Sequence, residues 1–337
     1  MTGLVLALLT AFAAAALISL FVRQAGLIDK PNHRSSHTAP TPRGGGLGVL
    51  AGLFAGLICL APMADTHQTP LLAIMLAGAG AGTLGLLDDI FILSEKLKFV
   101  VLVALSFAVA MLAGPVTHIG LELPWWLGLI GSALFLFTTI NAVNFMDGSD
   151  GIMAGGMAVA AIGLGLMAMD GLSAASFLLA AAWLGFALLN APVLGSRGSL
   201  FAGDVGALGG AMVFAGLALY WAALEGDGAA WLAALLLLPY LGDVLLTMAS
   251  RARARRCLFT PHRAHAYQLL IRLGWSHRDV ALFWSGLCAL CAALAIWGQM
   301  FSSPGRIGVF WLGVAGFTVF HQIVRRSARK AGLDTTQ

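Results

Sequence analysis

Asn141-Ala-Val-Asn-Phe-Met-Asp-Gly-Ser-Asp-Gly151 separates two apolar runs, Trp126 to Ile140 and the one that begins at Ile152. The stretch carries two carboxylates, Asp147 and Asp150, and two carboxamides, Asn141 and Asn144, with no lysine or arginine among them. Asp-Gly steps are ordinary turn chemistry. The flanks argue for more than a turn. Acids at the edge of a membrane are costly unless a cation, another group or a substrate offsets them. The stretch is therefore read as a loop between two membrane helices that holds a cation, or a cation together with a phosphate.

Composition supports the membrane half of that reading. Of 337 residues, 59% are hydrophobic and only 10% charged, against about 25% charged in a soluble domain. The mean hydropathy is +0.90. The 42 glycines suit helices that pack closely in lipid. The chain reads as an all-α polytopic membrane protein, one integral membrane domain over 1–337. Counting about 20 apolar residues per crossing gives eleven transmembrane helices. They fall at 4–22, 44–62, 70–87, 97–114, 125–140, 152–169, 173–190, 200–221, 229–249, 280–298 and 305–324. Met1-Thr2-Gly3 lacks the positive charge of a signal peptide, so Leu4–Val22 reads as a retained span.

With eleven spans the basic residues sort to one side. Arg23, Lys30, Arg34, Arg43, Lys96, Lys98 and Arg197 share that side with the arginines from Arg251 to Arg278 and with Arg325 to Lys330. Only Arg306 falls opposite. The positive-inside rule makes the rich side cytoplasmic, the N-terminus outside and the C-terminus inside. The outer loops are short, and Trp125, Trp126, Tyr220, Trp221, Trp231 and Trp297 form an interfacial belt there. The arginine run 251–256 reads as topology and contact with anionic lipid; nothing marks a nucleic-acid partner. Cys288 and Cys291 have CxxC spacing but lie in an apolar helix with no second pair, so they read as small buried side chains.

Chemistry gathers on the cytoplasmic face. Asp88-Asp89 ends the third span, followed by Glu95, Lys96 and Lys98. Adjacent carboxylates there can hold Mg²⁺ or supply a general base. Asp204 sits in Gly203-Asp-Val-Gly206 at the start of the eighth span, where glycines let backbone approach a phosphate. Asp29 to Gly46 is rich in Pro, His, Arg and Gly, and its basic groups can meet phosphates. His262, Arg263 and His265 follow the arginine run and can grip a diphosphate or a sugar. Carboxylates at three cytoplasmic helix ends, one His/Arg loop and an almost inert outer face describe an enzyme at the inner leaflet. Its substrates are a phosphate-bearing lipid and an anionic soluble donor, because phosphoryl transfer needs positioning and charge neutralisation above all. A transporter would place acids near the midplane on broken helices. Here only Asp243 lies within a span, close to its cytoplasmic end.

These motifs resemble the polyprenyl-phosphate N-acetylaminosugar-1-phosphate transferases, the glycosyltransferase 4 group. The similarity runs from Asp29 to about Gly274. It rests on Asp29, Pro31, Asn32, Arg34, His37, Pro40, Gly44 and Gly45; on Asp88-Asp89; on Asn144, Asp147, Gly148, Asp150 and Gly151; and on Gly203, Asp204 and Gly206. The resemblance implies transfer of an N-acetylaminosugar 1-phosphate from a UDP-sugar to undecaprenyl phosphate, releasing UMP. That is the first membrane step of O-antigen or cell-envelope polysaccharide synthesis at a bacterial inner membrane. It implies Mg²⁺, with Mn²⁺ as an alternative, held by Asn144 and Asp204. Asp88, Asp89, Asp147 and Asp150 would be catalytic. Asn32, Arg34, His37, Lys98, Asn141, His262, Arg263 and His265 would bind substrate, and a homodimer is an allowed assembly. One departure bears on the donor. Where many members carry several histidines, this chain reads His265-Ala-Tyr-Gln268, and it has His262 after Pro261. The departure resembles the O-antigen-initiating branch. It removes two histidines and adds the Tyr267 ring, which should suit a sugar with a methyl where GlcNAc carries its 6-hydroxyl. It so favours a 6-deoxy amino sugar of the FucNAc or QuiNAc type over UDP-GlcNAc.

Overall fold

A computed structural model of the chain describes residues 2–25, 28–29, 41–60, 68–192, 197–258, 260 and 262–336. Thirteen helices make up almost all of it. They are α1 (Thr2–Ala25), α2 (Gly46–Leu60), α3 (Gln68–Phe91), α4 (Glu95–Ala113), α5 (Trp125–Phe145), α6 (Ile152–Met167), α7 (Asp170–Asn190), α8 (Gly203–Glu225), α9 (Ala229–Leu236), α10 (Leu238–Arg253), α11 (Ala266–Arg272), α12 (His277–Gly298) and α13 (Ser303–Lys330). One exception to the all-helical reading is a two-residue antiparallel ladder, β1 (Ile28–Asp29) with β2 (Thr41–Pro42).

Each of the eleven expected spans falls on helix. Eight helices are long and apolar enough to cross a bilayer. The expected second and sixth spans are α2 and α6, of 15 and 16 residues. At about 1.5 Å per residue they are shorter than the ~30 Å hydrocarbon core. The expected ninth span is not one helix. It breaks at Leu237 into α9 and α10, bent by 82°, with Pro239 in the first turn of α10. Proline lacks an N–H and clashes with the preceding turn, so it can begin a helix but not continue one.

The most enclosed helix is α8, nearly every residue of which is buried from Val205 to Ala222. It packs on α2, α3, α4, α5, α7 and α9. Small residues allow this approach. A Cβ on Gly46 would lie 2.1 Å from Gly206 Cα, and one on Gly85 would lie 2.3 Å from the Asp204 carbonyl oxygen. Backbone therefore meets backbone where α2 and α3 cross the start of α8. The same crowding corrects part of the aromatic belt: Tyr220 and Trp221 are 5% and 3% exposed, inside the core. Trp125, Trp126 and Trp297 are exposed as an interfacial belt requires. Cys288 and Cys291 are free and buried.

Candidate active site

Asp88 and Asp89 lie in the last turn of α3, not beyond it. Asp88 Oδ1 accepts from the Leu93 amide at 2.6 Å, and its Oδ2 accepts from Lys98 Nζ at 2.9 Å. Lys98 also reaches Glu95 at 2.9 Å. The Ser94 side chain caps α4 by accepting from the Leu97 amide, which fixes the turn that presents Lys98. Asp89 is buried and pairs with Arg43 at 3.3 Å through Oδ1. A second Arg43 nitrogen donates to the Asp89 carbonyl.

Asp204 reaches this pair because of how α8 begins. Gly45 and Gly46 donate their amides to the carbonyls of Phe201 and Ala202 at 2.9 Å each, and Phe201 donates back to Pro42 at 2.9 Å. The start of α8 is thereby stitched to the segment that carries Arg43. Asp204 ends up within hydrogen-bond reach of Asp88, and the Asp204 and Val205 amides face the Asp89 carboxyl. Gly203 has φ +70°, and a Cβ there would sit 2.5 Å from Asp89 Oδ2.

Three carboxylates from α3 and α8 thus face two cations, Lys98 and Arg43. Two carboxyls in contact need a shared proton or a cation between them. Asp89 Oδ2 is buried without a hydrogen-bond partner. Excess negative charge and an orphaned oxygen fit a divalent cation. Among the described residues, no three His, Cys, Asp or Glu side chains are grouped so as to hold a metal ion by themselves; Mg²⁺ usually takes one or two carboxylates and completes its shell with water and substrate phosphates.

The loop that opened the sequence argument lies against α11 and α12. Tyr267 Oη donates to the Phe145 carbonyl at 3.5 Å, and Ser149 Oγ meets His277 Nδ1 at 2.8 Å. Gly151, at φ +79°, donates to Asn190 Oδ1 at 3.0 Å. Asp150 is 5% exposed, and its Oδ2 accepts from the Gly198 amide at 2.9 Å. Its carboxylate pins the connection that leads into α8, which is a holding position more than a reacting one. Asn141 is also occupied locally, donating to the Phe137 carbonyl one turn back at 2.8 Å. Asp147 is half-buried and close enough to the Tyr240 and Tyr267 hydroxyls to act on them electrostatically. Asn144 is half-buried in the last turn of α5.

The His/Arg loop is beside this one. His265 stacks on Phe145 with ring centroids 6.4 Å apart, and His262 lies 4.9 Å from His265. Burial holds His262 down at about 4, helped by the nearby His265 and Arg251, so it is neutral at physiological pH. Tyr267 is 1% exposed and packs edge-on against Trp284. Burial raises its phenol, with the charges of Asp243 and Asp147 adding to the effect. Gln268 turns back to accept from the His265 amide at 3.3 Å. The structure therefore corrects one step of the sequence argument. Tyr267 and Gln268 face inward, beneath the acidic loop, and neither offers a surface to a sugar methyl. Asn32, Arg34 and His37 lie outside the described residues.

Sequence reasoning gave no role to Ser149, His277, Asn190, Thr247 or His321, marked Arg43 only as one of the basic groups of 29–46, and marked Arg251 only as topology and lipid contact. It placed Asp243 only as an acid near a span end. The signal for Asp243, Thr247 and Arg251 was present, since polar residues four apart share a helix face.

The glycosyl transferase family 4 profile matches residues 71–222, which include Asp88, Asp89, Lys98, the acidic loop and Asp204. The chain is 31% identical over 298 residues to the undecaprenyl-phosphate alpha-N-acetylglucosaminyl 1-phosphate transferase of Escherichia coli K12, covering 81% of this chain and 77% of that protein. It is 29% identical over 325 residues to the Yersinia pestis protein of the same description, covering 91% and 86%. With the decaprenyl-phosphate N-acetylglucosaminephosphotransferase of Mycobacterium tuberculosis H37Rv it shares 29% identity, covering 97% of this chain and 89% of that protein.

Proposed function

Because the chain belongs to the polyprenyl-phosphate N-acetylaminosugar-1-phosphate transferases of glycosyl transferase family 4, we propose that it joins a UDP-linked N-acetylaminosugar to undecaprenyl phosphate. The observation that carries this reading is the meeting of Asp88, Asp89 and Asp204 with Lys98 and Arg43 at the ends of apolar helices. An oxygen of the lipid phosphate forms a bond to the sugar-bearing phosphorus. The bond from that phosphorus to the bridging oxygen breaks, and UMP leaves with the electron pair. Asp204 with Asp88 would hold Mg²⁺, and Mn²⁺ would serve in its place. When bound, the ion neutralises diphosphate charge as it develops. Lys98 and Arg43 would orient phosphate oxygens, and Asp89 would help deprotonate or orient the lipid phosphate. Asp147 positions the donor together with His262, Arg263 and His265. Asn32, Arg34 and His37 stay candidate donor or lipid-phosphate contacts.

An apolar groove supports the lipid half of the reaction. A cavity of about 470 Å³ opens between α5, α9, α10 and α13, lined by Leu134, Phe135, Leu241, Leu245, Trp311 and Phe317 among others. Thr138 also lines it, three residues before Asn141 on α5. A polyprenyl tail seated there would bring its phosphate to the polar end of α5. Were the expected eleven crossings and outside N-terminus to hold, this face would lie in the cytoplasm at a bacterial inner membrane. There the product would begin O-antigen or another envelope polysaccharide.

Two donors are distinguished by test. The relatives' names favour UDP-GlcNAc. The His265-Ala-Tyr-Gln268 departure favours a 6-deoxy amino sugar, and with Tyr267 buried it would act by setting the position of the acidic loop. Purified protein, undecaprenyl phosphate and Mg²⁺ are incubated with UDP-GlcNAc and a UDP-6-deoxy-N-acetylhexosamine in competition. Equimolar UMP and lipid-linked sugar, abolished by EDTA, is the expected result. Absence of UMP from folded protein with every donor overturns the reaction. A higher kcat/KM for UDP-GlcNAc ends the deoxy-sugar version alone.

A further inference from the structure

The polar residues of α10 form one stripe. Asp243, Thr247 and Arg251 are spaced four apart, and their exposures are 0%, 0% and 3%. None touches the carboxylate cluster, and burial of such groups requires full pairing. Their partners lie at the two ends of the His/Arg loop.

Arg251 holds the beginning of the loop. One of its nitrogens donates to the Cys257 carbonyl at 2.7 Å and to Thr260 Oγ1 at 3.0 Å, and the other donates to the Thr336 carbonyl. Thr260 in turn donates to the Cys257 carbonyl at 3.0 Å. Asp243 holds the end. It accepts from the Ala266 amide at 2.8 Å, the Tyr267 amide at 3.4 Å and Thr247 Oγ1 at 3.1 Å. His265 Nδ1 and His321 Nε2 each lie 3.6 Å from the same carboxylate. The segment from Cys257 to Tyr267 is thus fastened at both ends to one rigid helix. His262 and Arg263 lie between the fasteners, and the His265 ring is clamped between Asp243 and Phe145, two residues before Asp147.

We propose that Asp243 and Arg251 are positioning residues for the sugar-nucleotide donor. They touch no substrate, but they set the register of His262, Arg263 and His265 against the acidic loop. The inference rests on the assignment of that loop to the donor. An arginine fork that satisfies several acceptors at once cannot be copied by lysine. A carboxylate that accepts from two backbone amides and a hydroxyl, with two imidazoles 3.6 Å away, cannot be copied by asparagine, which has one acceptor oxygen. Misplacing a binding group by about 1 Å costs on the order of a hundredfold in rate, so the loosened loop shows in donor use before it shows in folding.

The test uses the full chain in detergent, with donor and polyprenyl phosphate varied separately. Arg251→Lys and Asp243→Asn should each raise the KM for donor about tenfold or more. The KM for polyprenyl phosphate should stay within about twofold, since the groove-lining residues of α10 are on the face opposite Asp243 and Arg251. Should Asp243→Asn fail to fold, Arg251→Lys and Thr260→Ala carry the test. An unchanged donor KM, or equal rises in both KM values, overturns the proposal in favour of a merely structural stripe. His262→Gln and His265→Ala separate the two levels of argument. If these leave the donor KM unmoved, the donor assignment falls and takes this inference with it. If they raise it while Arg251→Lys does not, only the positioning role falls.

Discussion

Gly203→Ala probes the carboxylate cluster without removing any charge from it. The residue has φ +70°, so a side chain adds a left-handed backbone cost of about 1–2 kcal/mol. It also adds a clash. The new Cβ would lie 2.5 Å from Asp89 Oδ2 and 3.0 Å from the Gly44 amide nitrogen. Relieving the first contact takes a retreat of about 1 Å towards ordinary carbon–oxygen separation. Asp89 is not free to make it, because Arg43 grips both its carboxylate and its carbonyl. The strain therefore passes to Asp204, the next residue, and the acids separate. A displacement of about 1 Å at reacting groups costs on the order of a hundredfold in rate.

Gly274→Ala isolates that clash. Gly274 is exposed at φ +98°, and a Cβ there meets nothing within 4 Å. Gly274→Ala should therefore lose about 1–2 kcal/mol of stability and Gly203→Ala at least as much, seen as a downward shift of the melting midpoint followed by tryptophan fluorescence. Only Gly203→Ala should lose about a hundredfold in the initial rate of UMP release. If Gly203→Ala turns over within about threefold of Gly274→Ala, the cluster tolerates displacement and its tight geometry is not what catalysis uses.

Three further outcomes follow from the same geometry. Asp204→Asn should abolish turnover at saturating Mg²⁺ while the protein still purifies folded; normal turnover would remove Asp204 from the metal site. His262 is held at about 4 in the folded protein, against about 6.5 unfolded. Between those values the unfolded chain takes up a proton that the folded one refuses, so stability falls as pH falls through that window and levels off below it. The loss should be about 1 kcal/mol, discounted because the ring is only half-buried, and His262→Gln should flatten the melting midpoint between pH 4.5 and 7.5. A reporter fused after Gln337 should be active only in the cytoplasm, and activity on the outer side would reverse the assigned orientation of the site.

What the sequence made legible was whatever depends on local contrast. Charges stand out against apolar runs, so Asp88, Asp89, Asp147, Asp150 and Asp204 were found at once, and helix positions followed from run length. What it hid depends on direction. Asn141 and Asp150 have the right chemistry for a site, and the sequence did not show that one also donates to the Phe137 carbonyl and the other also accepts from the Gly198 amide. Tyr267 reads as a sugar-facing ring until the fold turns it beneath Phe145. The break at Leu237 was within reach of sequence reasoning, because Pro239 sits in an otherwise unbroken leucine run.

That break explains how one helix can serve both substrates. At about 100° per residue, Leu238, Leu241, Gly242 and Leu245 fall on one side of α10, and Asp243, Thr247 and Arg251 on the other. The first set lines the apolar groove with α5 and α13. The second holds the His/Arg loop. A straight continuation of α9 would have carried α10 on along the bundle; the 82° turn carries it across instead. A buried stripe containing Asp243 is tolerable on such a helix because loop amides and imidazoles, not lipid, meet it. On the proposed reading, the polyprenyl phosphate and the sugar nucleotide would be bound on opposite faces of α10, and their phosphates would have to meet past its edge.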